Sequence, residues 1–559
     1  MRLRRSPLAS LALLSALTLG AGCKTDKRDS EPSPDAPKPS EPAKPEPGAT
    51  KAPSTSAALP ESTTPPIDSP AITELGEVIA TVQLPGGAAM SDLAPIVDSF
   101  KPGSSALLAV QAPTMLGQLA GMSLDGAKLS APISIVVLDP STYPQPIGLL
   151  VETEDLELLR ASANKVGHAV HDREGRALIG PPALVDSAED FAFANLSKVP
   201  DHSEIVIYPA PLRRAFADKI GEALAQIPTA MAGTGFEGTM TKMVEMYVQT
   251  FEAMSEQTER IVISASPSQT SNDLFMRFYP VAGTTFASFI AAQTPADHSL
   301  LAKLPANAGQ GGLMSGELRA GAAKDAMLGF MIEAIQMLYS NTMTSEAWTK
   351  LVNDWIATLD GRFTASFSMD LANPATPSMR MLTVFGSTDE AAMRAAWRAM
   401  MGAMTMDGAP LIQMMGMSVN VVFEPGALDH EGVPVDRYTT KIDASTMTPE
   451  AQAAMQKSGG LEQIMHMAAF DQLGAMASSA DDMAELIDAA RGKTKTFEPS
   501  KGIQRAMEVS QARGESLFYY LDFAALLPAG SAGELPFGAM VMGMGKQGEA
   551  LSVCLSLRK

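Results

Sequence analysis

Residues 362–370 read RFTASFSMD, and residues 378–386 read SMRMLTVFG. In the first run Phe363, Ala365, Phe367 and Met369 alternate with Thr364, Ser366 and Ser368. That period of two places successive side chains of a strand on opposite faces. A second run follows after a short break, so the pair predicts an antiparallel hairpin. The same unit recurs as RIVISAS (260–266) with DLFMRFYP (273–280), as ISIVVLDPSTYPQPIGLLVETED (133–155) and as AMVMGMGKQGEALSVCLSLRK (539–559).

Other segments repeat as well. KMVEMYVQTF (242–251) aligns without a gap with KLVNDWIATL (350–359), setting Met243 on Leu351, Tyr247 on Trp355 and Phe251 on Leu359 at helical spacing. VHDREGRALIG (170–180) aligns with AFDQLGAMASS (469–479), pairing Asp172 with Asp471 and Gly175 with Gly474 at a turn before an acidic helix. PGSSALLAVQAP (102–113), PDHSEIVIYPAP (200–211) and GESLFYYLDF (514–523) read as copies of one buried strand, with a weaker copy at 303–314. In chain order the units run through 72–295 and again through 296–559. Repeats of this kind predict an α+β fold of two homologous lobes, 71–295 and 296–559. One-sided strands joined by short turns predict antiparallel sheets with helices packed on one face.

The N-terminus carries a different signal. Arg2, Arg4 and Arg5 precede an uncharged apolar run from Leu8 to Leu19, and Gly20, Ala21 and Gly22 lead into Cys23. This is the pattern of a secretory signal peptide over 1–22, too short to span a bilayer as a folded helix. Its end, LGAGC, resembles a bacterial lipobox, although Gly20 stands where an aliphatic residue is usual. The resemblance implies a diacylglycerol on the Cys23 thiol, and Lys24 after it implies residence at the outer membrane. Twelve of the 40 prolines fall in 24–70, a stretch without aromatics and with only Leu59 and Ile67 as large aliphatics. Such a segment cannot bury enough surface to offset its ordering entropy, so 23–70 is expected to be a disordered tether behind the lipidated cysteine.

Loss of the leader removes three arginines and leaves 39 basic against 62 acidic residues, a net charge of −23. That excludes nucleic acid and anionic lipid surfaces as the main partners. The expected partners are the membrane, through the lipid anchor, and a protein or apolar ligand bound by the body. With Cys23 lipidated, Cys554 has no intramolecular disulfide partner.

Methionine accounts for 36 of the 559 residues. Where one copy of a repeat has methionine the other has leucine, the behaviour of a flexible core hydrophobe. The densest cluster lies in 393–417, where Met393, Trp397, Met400 and Met404 fall on one helix face. Core packing is the first reading of that face, and a malleable groove for a lipid or other apolar ligand is the alternative. Met-x-Met pairs at 379/381, 404/406, 415/417, 465/467 and 540/542/544 raise Cu(I) binding, but their scatter argues against a site.

No catalytic constellation emerges. His168 and His171 are three apart on a strand and cannot share a metal. Gly233/Gly235/Gly238 and Gly543/Gly545/Gly548 match G-x-G-x-x-G without the strand-then-helix context that a dinucleotide needs. A G-x-S-x-G elbow is missing, so a hydrolase is a distant alternative. Cys554 sits at a small-residue position between Ser552 and Ser556, and Asp481/Asp482 belong to a helix start. The expectation is a non-enzymatic body that binds or scaffolds, with no cofactor and no metal.

Overall fold

The strands at 359–370 and 378–387 form the expected antiparallel hairpin, with Thr364 opposite Val384 and Phe367 opposite Met381. In the computed structural model it is part of a 19-stranded sheet. The structure describes residues 76–86, 114–197, 202–217, 252–267, 271–319, 344–370, 378–404, 411–414, 417–443, 452, 462–526 and 537–558. All fall within one compact unit, Glu61–Lys559. The leader, Cys23, the 23–70 tether, 102–113 and the helix expected at 242–251 lie outside the described residues.

In chain order the strands begin with β1 (Val78–Leu84), β2 (Ile133–Leu138), β3 (Ile147–Glu152), β4 (Ala169–Arg173) and β5 (Arg176–Gly180). Next come β6 (Glu204–Ile207), β7 (Thr258–Pro267), β8 (Ser271–Pro280), β9 (Gly312–Glu317), β10 (Leu359–Asp370) and β11 (Ser378–Ser387). β12 (Leu411–Met414), β13 (Met417–His430), β14 (Val433–Asp443) and β15 (Glu462–Phe470) follow. The series ends with β16 (Leu473–Ala477), β17 (Glu515–Asp522), β18 (Ala539–Gln547) and β19 (Ala550–Arg558).

Every pairing is antiparallel. Traced through its hydrogen bonds, the sheet runs β4-β5-β3-β2-β1-β6-β7-β8, then β19-β18-β17-β9-β10-β11-β16-β15, and ends β14-β13-β12. The second group of eight repeats the first in mirror order. The mirror falls at the β8–β19 pair, where Phe275 stands opposite Cys554.

Helices among the described residues that matter below are α1 (Leu156–Asn164), α2 (Pro182–Asn195), α3 (Thr285–Ala292), α4 (Ser345–Ile356), α5 (Glu390–Met404), α6 (Ala480–Ala490) and α7 (Lys501–Ala512). Their starts follow from capping side chains. Asp155 accepts from the Leu158 N–H at 3.0 Å, Ser479 from Asp482 at 3.1 Å and Ser500 from Ile503 at 3.3 Å.

The helices lie on both faces of the sheet, not on one. On β15 and β16, Ala468, Phe470, Ala475 and Ala477 pack with Met483, Leu486 and Ile487 of α6. The alternate residues Met467 and Ala469 pack with Met393 and Trp397 of α5. At the other end Leu184 and Val185 of α2 join Leu150 and Leu178, whereas Leu159 and Ala163 of α1 join Leu149 and Ile179. Strands covered twice are buried throughout, as in ISIVVL of β2, which is apolar but for Ser134 and buried at every residue.

The alternation in 362–370 also faces the other way from its hydrophobicity. Thr364 and Ser366 are 0% and 4% exposed, while Phe363, Ala365 and Phe367 are half-exposed. Small polar side chains let the neighbouring backbone approach. Thr364 Oγ1 donates to the Met314 carbonyl at 2.9 Å, and Ser366 Oγ accepts from the Gly309 N–H at 2.8 Å.

Two alignments shift. The turns at Glu174–Gly175 and Asp471–Gln472 correspond, which displaces the Asp172/Asp471 pairing by two residues. Residues 252–257 are helical up to β7, whereas β10 begins at Leu359, so the gapless match of 242–251 with 350–359 does not hold at that end.

Candidate functional site

The helix face read first as core, with a groove as the alternative, is packed. Met393, Trp397 and Met400 are 0%, 3% and 9% exposed in a core shared with Trp348, Val352 and Met467. Met393 Sδ lies 2.5 Å from where a Cβ on Gly474 would stand, and Trp397 lies 3.0 Å from it, so a glycine is needed on the strand beneath. Met404 ends α5, and its side chain lies outside the described residues.

A wide apolar surface appears elsewhere, at the centre of the sheet. Residues opposite one another across antiparallel strands share a face. One such row is Ala365–Met314–Tyr519–Met542–Leu555–Leu274–Ala265, crossing β10, β9, β17, β18, β19, β8 and β7. The row beside it reads Phe363–Gly316–Leu517–Met544–Val553–Met276–Ile263. A third runs Phe367–Gly312–Leu521–Met540–Leu557. Aside from the two glycines the residues in the three rows are half-exposed, except Met542, which is exposed at 38%.

No charged residue stands in the three rows. Seven strands at ~4.8 Å make the surface roughly 29 Å wide. The three rows form one contiguous apolar face of the sheet. It forms a floor between two helical banks. The row from Phe363 to Ile263 continues through Ile205, Val82, Ile135 and Leu149 to Ile179 under α1, and in the other direction through Phe385 and Gly474 to Ala469 under α5.

Local sequence shapes this floor. A Cβ on Gly312 would lie 1.9 Å from the Phe367 ring, so glycine there lets Phe367 reach across β9 and stack on Tyr519 at 6.0 Å. Burial pushes the Tyr519 phenol above its usual range. Met540, Met542 and Met544, singled out as a Met-x-Met series, are three of its adaptable side chains.

The opposite face of the same strands is polar and buried. Ser552, Cys554 and Ser556 stand against Gly545, Gly543 and Val541, and Arg513 Nη1 donates to Cys554 Sγ at 3.1 Å. Burial pushes the Cys554 thiol well up, the reverse of what an attacking thiolate needs. Gly543 and Gly545 lie within β18 and only Gly548 is in the turn, with φ of 57°. Gly233, Gly235 and Gly238 lie outside the described residues.

The histidines have separate partners. His168 Nε2 is 3.2 Å from Gln145 Oε1, and His171 Nδ1 is 2.7 Å from Glu189. Among the described residues His430, Glu431 and Asp488 bring their ligand atoms within 4.8 Å of one another. Lys493, just past α6, is ion-paired to Glu431, and His430 Nε2 is 3.0 Å from Asp488 on α6, so the β13–β14 turn is fastened to the end of α6. No protein-family model, curated protein or solved structure matches the chain.

Proposed function

We propose that this is a lipid-anchored, non-enzymatic binding protein of the cell envelope, whose body takes the acyl chain of a lipid on the apolar floor of its sheet. The observation that carries the reading is the set of three uncharged, half-exposed rows, two across seven strands and one across five, between two helical banks. Core strands bury such rows, and an open surface of this size is costly in water without an occupant. Methionine suits it because a flexible thioether fits chains of varied length and unsaturation.

The anchor in this reading is the diacylglyceryl group on Cys23, left after removal of 1–22. Residues 23–70 form the tether, and the outer membrane is the site of residence. The mirror order of the strands supports a body of two homologous lobes, 71–295 and 296–559, joined edge to edge at β8 and β19. The net charge of −23 on the mature chain keeps it off anionic surfaces. A scaffold that docks an apolar segment of another envelope protein on the same floor is the rival reading.

Titration of the purified full-length protein with N-phenyl-1-naphthylamine tests the site. Saturable fluorescence is expected in the parent and in Met400→Ala, and its loss in Met542→Asp. Absence of binding by the parent, or equal binding by Met542→Asp, would reject the floor as a ligand site. Native mass spectrometry of protein taken from the envelope separates the readings, since a lipid adduct marks the carrier and a bound polypeptide the scaffold.

A further inference from the structure

We propose that Glu515, Arg513 and Asp273 form a proton-operated joint that fastens the end of α7 and strand β17 to the β8–β19 seam. The joint lies on the opposite face of the same strands from the apolar floor, and it stands whether or not that floor holds a ligand.

The geometry is unusual for a sheet centre. Asp273, Arg277, Arg513 and Glu515 are 2%, 3%, 6% and 4% exposed. Charges are kept in such surroundings only when paired, and replacing a buried pair by apolar groups is often neutral or stabilising. α7 ends at Ala512, Arg513 follows in helical conformation, and Gly514 turns the chain at φ of 71° into β17. From there Arg513 reaches across β18 and β19 to pair with Asp273 on β8, its guanidinium 5.0 Å from the Phe275 ring. The second oxygen of that carboxylate, Asp273 Oδ1, is buried with no donor among the described residues.

Glu515 sits at a bulge, where the β17–β18 register shifts between Glu515 and Leu517. The bulge turns its side chain onto the same face as Phe518. Its carboxyl then lies over β18 where Gly543 has no side chain, since a Cβ there would be 1.8 Å from Oε2. Gly545 is held to glycine by the Glu515 Cα at 2.5 Å. The G-x-G of this strand is thus a bed for a buried carboxyl.

Among the described residues the following groups face it. Ser510 and Arg513 come from α7, Asp273 from β8, Arg558 and Cys554 from β19, and β18 presents only its two glycines. Burial pushes the Glu515 carboxyl up to about 7, against the nearby Ser510 hydroxyl and the charges of Arg513 and Arg558. A carboxyl raised in the folded state binds its proton more tightly than the unfolded chain does. The contribution of the joint is therefore complete below the ordinary value of ~4.5, is lost as pH rises toward 7, and is constant above that.

Amide hydrogen exchange of the full-length protein, corrected for intrinsic rates and measured from pH 4.5 to 8.5, reads this directly. Relative to Glu515→Gln, parent protection in β8, β18 and β19 should fall on the order of 100-fold between pH 4.5 and 7 and level off above it. β4 and β5, at the far edge, should show no such difference. Parallel profiles in parent and variant would overturn the proposal. Should the variant not fold, the parent alone decides, since no fall in β8, β18 and β19 relative to β4 and β5 from pH 4.5 to 7 overturns it equally.

Discussion

Truncating Met393 and truncating Met542 should differ in cost several-fold, although both remove the same three heavy atoms. Met393 is 0% exposed and packs with Trp348, Val352 and Trp397. Losing about three buried methylene equivalents at ~0.8 kcal/mol each gives ~2 kcal/mol. A residual cavity of roughly 50–70 Å3, at ~24 cal/mol per Å3, adds ~1–2 kcal/mol. Met393→Ala should therefore cost about 3–4 kcal/mol. Met542 is 38% exposed and keeps much of its surface in water in the folded state, so Met542→Ala should cost under ~1 kcal/mol. Urea denaturation of the two variants beside the parent, followed by far-ultraviolet circular dichroism, measures both. A loss under ~1 kcal/mol for Met393→Ala would remove it from the core. An equal loss for Met542→Ala would mean that the floor is ordinary interior.

Gly474→Ala should destabilise by about 1–3 kcal/mol, because its Cβ would meet Met393 Sδ at 2.5 Å, and denaturant midpoints check it. Burial holds the His298 imidazole below its usual range. Its share of stability is present above the unfolded value of ~6.5 and is lost as pH falls through the lower folded value. His298→Asn, compatible with the left-handed backbone there at φ of 53°, should flatten that acid limb in melts at pH 5 and 7. Cys23→Ala should move the protein from the membrane to the soluble periplasmic fraction, and unchanged membrane fractionation would end the lipoprotein reading.

Local periodicity made the hairpins legible. RFTASFSMD, RIVISAS and LSVCLSL each announce a strand, and each forms one. Period alone does not say which face lies inside. In β10 the buried face is Thr364 and Ser366, because what covers it is a close-approaching backbone that small hydroxyl residues suit. The helices on both faces were hidden for the same reason, since the one-sided strand taken as typical belongs to the centre of the sheet and not to its ends. The packing of Met393, Trp397 and Met400 follows their helical spacing. The floor was not legible, although all its residues were, because it exists only through long-range pairings such as Leu274 with Leu555. The Glu515 site was equally hidden, since a carboxyl next to Arg513 reads as a solvated ion pair until Gly543 is seen beneath it.

The seam between β8 and β19 has a consequence for how the chain is made. β8 ends at Pro280 and its outer partner begins at Ala550, so nearly half of the protein is synthesised while that edge stands open. Until then the β8 edge offers an unsatisfied row of N–H and C=O groups, with Leu274, Met276 and Phe278 beside it. A chain of this kind cannot mature progressively from its first half. It must be held apart from its neighbours until synthesis is complete, and closure is then a late event with a high loop-closure cost. Overexpression that outruns this holding step should yield assemblies joined through β8, and their abundance should track the rate of synthesis and not the stability of the finished fold.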